Sequence, residues 1–242
     1  MRLVRKIVET LFRQKVLRRK FTLNGRTIKF FYSPDAQLKY LKGQNSWDTD
    51  LQALATDHLG PDSVVWDIGA NVGVMSFSAA LMGVRKVYAF EPDVFLASIV
   101  NRTIAENNLG ANVSVIPVAV ADRAGFATFM IAERGRASNA LESAGGRSQM
   151  GGTRQSVTVP TVSADDILAF SKDIPTFIKI DVEGAELHVL SGMGAVFDVA
   201  KPTVYVEVSQ QTEPQVRDFF QSKGYNPAVL GGEAQNLLFE HA

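Results

Sequence analysis

Apolar residues in this chain fall into two rhythms, short runs bounded by turn residues and longer stretches at helical spacing. Ser63 to Ile68 is a short run, followed by a glycine turn and a helix from about Val72. Lys86 to Phe90 is a second run, followed by a helical stretch, Val94 to Leu109, closed by Gly110. Asn112 to Val120 reads as a third strand, Gly125 to Ile131 as an added strand and Ser156 to Val162 as its return. A helix from Ser163 to Phe170 opens on a capping box, Ser163 with Asp166 three residues on. Thr176 to Asp181 and Thr203 to Val208 are further strands, with a helix from near Ala185 through Leu190 between them. Glu213 to Lys223 is helical, and Asn226 to Leu230 with Asn236 to Glu240 form a closing antiparallel hairpin. Strands alternating with helices predict an α/β fold around a mainly parallel sheet.

The first sixty residues follow another pattern. Leu3, Val4, Ile7, Val8, Leu11 and Phe12 recur at helical spacing, with Val16 and Leu17 continuing the stripe, among eight basic residues between Met1 and Lys20. This predicts a basic amphipathic helix, which either packs on its own domain or docks on a partner or an anionic membrane surface. Phe21 to Tyr32 predicts a hairpin turning at Asn24-Gly25. Gln37 to Leu59 reads as helical with a break at Gly43 to Ser46, and Trp47, Asp48 and Asp50 read as packing and helix-start residues. The expected organisation is an N-terminal cap over 1–59 and a catalytic domain over 60–242. Residues 132–155, rich in glycine, serine and arginine, are expected to form a substrate lid.

Composition narrows the setting. A chain of 242 residues suffices for one large α/β core. Formal net charge is zero, which argues against a nucleic-acid partner. Cysteine is absent, excluding disulfides, thiolate nucleophiles and Cys-based zinc sites, and fitting a cytoplasmic setting. No apolar run approaches the ~20 residues that span a bilayer. His58, His188 and His241 show no metal-ligand spacing.

The chemistry concentrates at the ends of the predicted strands. Asp67-Ile68-Gly69-Ala70-Asn71-Val72-Gly73 has the spacing Asp-x-Gly-x-x-x-Gly, not the Gly-x-Gly-x-x-Gly of dinucleotide enzymes. The missing middle glycine would have let a pyrophosphate approach, whereas Asp67 suits an ammonium or a sulfonium. Glu91, at the tip of the neighbouring strand, is placed to accept both ribose hydroxyls of a nucleoside. Together they point to S-adenosylmethionine over NAD. Asp122 is either an acid meeting the adenine amino group or a plain turn residue. Asp181, Glu183 and Glu207 fall on the same rim, where ligands of open α/β sheets bind. Ser138, Asn139 and Arg136 in the expected lid are candidates for contacts to substrate oxygens or anions.

These stretches, in this order, resemble the FkbM family of S-adenosylmethionine-dependent methyltransferases. The resemblance rests on Val65 to Gly73, Phe90-Glu91-Pro92, Ala119 to Asp122, Ile178 to Glu186 and Leu190 to Met193, and spans about Leu51 to Val208. It implies a Rossmann-like class I methyltransferase fold, a seven-stranded sheet parallel except for its last strand. The implied activity is O-methylation of a sugar, glycan or other small natural-product acceptor. It also implies that Asp67, Gly69, Asn71 and Gly73 surround the methionine part, Glu91 holds the ribose, Asp122 lies near the adenine and Asp181 near the transferring methyl. Ala70, Pro92 and Ala119 complete the expected cofactor set.

Asp181 is the expected base or orienting group for the acceptor hydroxyl, aided by Glu183 or Glu207. Two or three oxygens make a thin Mg²⁺ site, so no metal is assigned. The rival from another class is a non-catalytic nucleoside-binding or assembly protein on the same fold. An NAD-dependent oxidoreductase fails on the glycine spacing and on the lack of a Tyr-x-x-x-Lys pair.

Overall fold

The computed structural model describes residues 10–44, 47–144, 152–229 and 236–241. The first nine residues of the expected N-terminal helix lie outside them. Within them only Thr10 and Leu11 are helical, and the chain is already extended at Leu17, so the helix does not reach Lys20. Pairing overrides the helical stripe there. β1 (Leu17–Leu23) and β2 (Arg26–Tyr32) form an antiparallel hairpin in which Leu17 faces Tyr32 and Leu23 faces Arg26. The turn fits its residues, because Asn24 and Gly25 both take positive φ (50° and 72°), as a two-residue hairpin loop with right-handed strand twist requires. Trp47, fully buried, gathers Phe30, Tyr32 and Tyr40 at ring-centroid distances of 5.3, 5.2 and 5.7 Å. α1 (Thr49–His58) completes this cap.

β3 (Val64–Ile68), α2 (Val74–Met82), β4 (Lys86–Phe90), α3 (Val94–Glu106) and β5 (Val113–Ile116) follow as two βαβ units. α2 is buried on most of its surface because the sheet covers one side and the cap the other, and Phe77 meets Phe30 at 5.7 Å. The cap and this face of the sheet therefore share one apolar core.

The expected third strand, Asn112 to Val120, is two strands. Pro117 has no N–H to donate, and the chain turns there with the Val118 N–H on the Ile116 carbonyl at 2.9 Å. β6 (Ala119–Ala121) then leaves the main sheet and runs parallel to β9 (Thr153–Ser163). β9 also pairs antiparallel with β7 (Gly125–Ala132), which β8 (Ala140–Leu141) flanks. Parts of the expected lid, Ala132, Ala140–Leu141 and the chain from Thr153, are thus strands of a separate four-stranded sheet, while 145–151 lie outside the described residues.

α4 (Ala164–Ser171) starts on the expected capping box, with Ser163 Oγ accepting the Asp166 N–H at 3.0 Å. β10 (Phe177–Ile180), α5 (Glu186–Ser191), α6 (Gly194–Val199), β11 (Thr203–Glu207), α7 (Glu213–Ser222), β12 (Tyr225–Val229) and β13 (Asn236–His241) complete the chain. Among the described residues the main sheet has seven strands, in the order β12-β13-β11-β10-β3-β4-β5. β13 alone runs against its neighbours, as expected of the last strand. Strand order reverses between β10 and β3, and that switch point opens the crevice where ligands bind in such sheets. No helix among the described residues is long and apolar enough to cross a membrane.

Candidate active site

At the carboxyl end of β3 the backbone turns at Gly69, whose φ is +76°. A Cβ there would lie 1.9 Å from the Asp181 carbonyl oxygen, so only glycine lets β3 and β10 end this close together. Gly69 and Ala70 both donate to the Phe90 carbonyl at 3.0 Å, which ties the turn to the tip of β4. Gly73 (φ +86°) leaves room for Phe77, whose ring a Cβ would meet at 2.7 Å.

Two cavities adjoin at this crevice. The first is lined by Gly69, Asn71, Glu91, Pro92, Ala119 and Phe129 among others. The second opens under the cap between Tyr40, Asp48, Asp50, Tyr205 and Glu207. Asn71, Ala137, Asp181 and Glu183 line both.

Glu91 is 5 % exposed, and its carboxylate accepts the N–H of Asn71 at 2.7 Å and of Asp93 at 2.9 Å. Burial dominates these bonds and pushes the carboxyl up to about 8. The Asn71 side-chain oxygen, in the shared wall, is buried with no hydrogen-bond partner. An orphaned acceptor, a glycine turn with no room for a side chain and a buried carboxylate suit a nucleoside-bearing cation such as S-adenosylmethionine. The apolar Val118, Ala119, Val120 and Phe129 provide a face for a base.

Asp67 does not line either cavity. It is fully buried beneath the turn, its Oδ2 accepting from Ser76 N at 3.0 Å and Ser76 Oγ at 2.6 Å, which satisfies the first turn of α2. Its other oxygen faces Lys179 Nζ at 3.3 Å. The expected contact between Asp67 and the cofactor's ammonium is therefore corrected to an internal ion pair. Asp122 is likewise outside the cavity. β6 leaves the sheet before it, so its exposed side chain pairs with Arg123 at 3.6 Å over a separate depression.

Arg136 and Asn139 line the first cavity, but their polar groups are engaged with protein carboxylates. Arg136 donates to Asp35 at 2.9 Å and Asp93 at 2.5 Å, and Asn139 donates to Asp93 at 2.8 Å. Arg154 joins at Asp35, 3.3 Å away. These contacts fasten the segment to the cap and to the start of α3, which corrects the expectation that the arginines await a substrate anion. Ser138 lines neither cavity.

Lys179, unanticipated in the sequence, sits 3 % exposed at the centre of the crevice. Its ammonium donates to the Gly69 carbonyl at 2.5 Å and lies 3.3 Å from both Asp67 and Asp181. Burial alone would lower its pKa, but the Asp181 and Asp67 carboxylates outweigh that and hold it above the usual lysine value. A signal was available: a lysine between Ile178 and Ile180 in a fully buried strand requires carboxylate neighbours. Tyr40, Asp48, Asp50 and Tyr205 were also missed as cavity residues. Tyr40 donates to Asp48 at 3.3 Å, while Trp47 is the packing residue expected. Among the described residues no three His, Asp or Glu side chains converge to hold a metal.

The sequence model described as the methyltransferase FkbM domain matches residues 67–227. Hexuronic acid methyltransferase AglP of Haloferax volcanii is 28% identical over 160 residues, covering 65% of this chain and 59% of that protein. Protein arginine N-methyltransferase 1 of Caenorhabditis elegans is 42% identical over 66 residues, 27% of this chain and 18% of that protein. The chain thus spans less than two thirds of each of these two relatives. The crystal structure of methyltransferase FkbM from Methylobacillus flagellatus KT superimposes with a TM-score of 0.53 at 18% identity, covering 75% of this chain and 44% of that one. That likeness speaks to the fold.

Proposed function

The chain belongs to the FkbM methyltransferase family, and from that premise we propose that it is an S-adenosylmethionine-dependent O-methyltransferase. Its acceptor is a hydroxyl of a sugar, glycan or other small natural product. The observation that carries this is the wall shared by the two cavities, Asn71, Ala137, Asp181 and Glu183. It lets a donor bound beside Glu91 and an acceptor bound beside Glu207 meet at Asp181.

S-adenosylmethionine, when bound, supplies an electrophilic methyl on a sulfonium. Glu91 would accept the ribose hydroxyls, the Asn71 side-chain oxygen the ammonium, and the apolar wall from Val118 to Val120 the base. Asp181 orients the acceptor hydroxyl and takes its proton as the oxygen becomes methylated. Lys179 holds that carboxylate in place, and Glu183 and Glu207 add acceptors for further hydroxyls. A small-molecule or glycan partner fits this chemistry, the zero net charge argues against a nucleic acid, and the lack of cysteine fits a reducing cytoplasm.

Calorimetric titration of S-adenosylmethionine and S-adenosylhomocysteine, followed by labelled-methyl transfer to a panel of hydroxylated acceptors, tests the function. We expect binding near −8 kcal/mol, in the micromolar range, lost in Glu91→Ala. Asp181→Asn should bind the donor and lose about 10²- to 10⁴-fold in turnover. No binding by cofactor-stripped protein would overturn the proposal, and full turnover in Asp181→Asn would remove the base role.

A further inference from the structure

The acceptor-side cavity has a charge that narrows its ligand, given the methyltransferase function proposed above. Its lining includes five carboxylates, Asp48, Asp50, Asp181, Glu183 and Glu207, against two ammonium groups, Lys39 and Lys179. Both ammonium groups face carboxylates of the protein itself: Lys39 pairs with Asp48, and Lys179 lies 3.3 Å from both Asp67 and Asp181. The same field acts on Tyr205. Its phenol is held protonated first by burial, then by Glu207, Asp181, Asp50 and Asp48. A donor sulfonium offsets one of these charges and leaves the cavity negative.

We propose that this cavity takes a hydroxylated acceptor carrying a protonated amine, and turns away acceptors with a carboxylate or phosphate near the reacting hydroxyl. An anion entering here loses water and meets like charge, while an ammonium meets opposite charge. The same carboxylates raise the amine's pKa and keep its lone pair protonated. Nitrogen is then no nucleophile, and the methyl goes to oxygen: the C–S bond breaks with its pair on sulfur, the C–O bond forms, and the hydroxyl proton passes to Asp181.

Matched methyl glycosides of glucosamine, glucose and glucuronic acid separate the possibilities. Each is titrated calorimetrically into protein saturated with S-adenosylhomocysteine, then assayed with labelled donor. The amine should bind at least about tenfold more tightly than the carboxylate, with the neutral sugar between. High salt should narrow the spread, and so should Asp50→Asn combined with Glu207→Gln. Equal affinity across the set, tighter binding of the glucuronide, or no binding of any member overturns the amine preference. Binding of S-adenosylhomocysteine, titrated beforehand into the cofactor-stripped protein, keeps the methyltransferase function standing in each of those cases. Methyl found on nitrogen with the affinity order intact would overturn oxygen transfer instead.

Discussion

The cavity beside Glu91 is walled mainly by short consecutive segments, Gly69 with Asn71, Phe90 to Pro92, Val118 to Val120 and Asp181 to Glu183, with Phe129 and the segment from Arg136 to Leu141 closing it. Backbone turns, a close glycine and apolar side chains shape it. The cavity beside Glu207 draws instead on scattered positions, Gln37 to Tyr40, Asp48 to Leu51, Val74 and Met75, Tyr205 and Asn236, brought together by the cap. Charge dominates its lining. The first is a turn-built site that tolerates little change in shape, the second a side-chain-built site that tolerates changes in residue. Lys179 lines the second and ties it to the first, because its ammonium grips the Gly69 turn on one side and the Asp181 carboxylate on the other.

The largest effect should therefore come from Lys179→Met. It leaves Asp67 buried without a cation and releases both the turn and Asp181, at a cost of about 3–5 kcal/mol in unfolding free energy. Adding Asp67→Asn should restore part of that stability without restoring turnover. Chemical denaturation and activity, measured on single and double variants, check this. Full recovery of activity in the double variant would mean that Lys179 serves only to neutralise Asp67.

Gly69→Ala comes next, at a residue that lines the turn-built cavity. The added Cβ would sit 1.9 Å from the Asp181 carbonyl, so β3 and β10 must separate, at about 1–3 kcal/mol. Calorimetry should show cofactor affinity lost while the variant still melts cooperatively. Unchanged cofactor affinity would show that the strand ends are free to part.

This contrast decides what was legible in the sequence. Gly69, Glu91 and Asp181 could be found because each is fixed by a strand-to-turn junction that local pattern reveals, and the mainly parallel character of the main sheet follows from the same alternation. Asp48 and Tyr40 could not, because their relation to Asp181 is set by how the cap gathered on Trp47 packs on α2 through Phe30 and Phe77, a long-range fact with no local signature. An acid before a glycine turn can point to ligand or to core, and Asp67 points to core. What decides it, Lys179, lies over a hundred residues away, with |i−j| = 110 to Gly69. Asp122 was drawn into the cofactor site by reading Asn112 to Val120 as one strand, when Pro117 sends the chain to the second sheet.

The effect of pH is smaller per unit, at most about 1.4 kcal/mol. Burial raises the Glu91 carboxyl to about 8, whereas ribose hydroxyls need it as an acceptor. Cofactor binding below about 8 must then expel a proton, and the Kd should fall up to tenfold per pH unit on approach to that value, then level off. The sign for the unliganded protein is opposite. Its folded state keeps a proton that the unfolded chain sheds near the ordinary 4.5, so stability should decline between about 4.5 and 8 as pH rises. Glu91→Gln should flatten both profiles, measured by calorimetry and by thermal melts. A pH-independent Kd for the unsubstituted protein would mean that Glu91 does not hold the ribose as a carboxylate.

The smallest effect expected is at Asp122, and it tests where the turn-built cavity ends. Its side chain is 41% exposed and pairs with Arg123 across 3.6 Å, over a depression that also includes His188. An exposed pair of this kind contributes little. Asp122→Ala should change stability by no more than about 0.5 kcal/mol and leave the cofactor Kd within about twofold. Ala119, two residues earlier, lines the cavity, so the boundary between wall and surface is drawn within a single short strand, β6. A tenfold loss of cofactor affinity in Asp122→Ala would move that boundary past Ala121 and return the adenine contact to the position the sequence first assigned it.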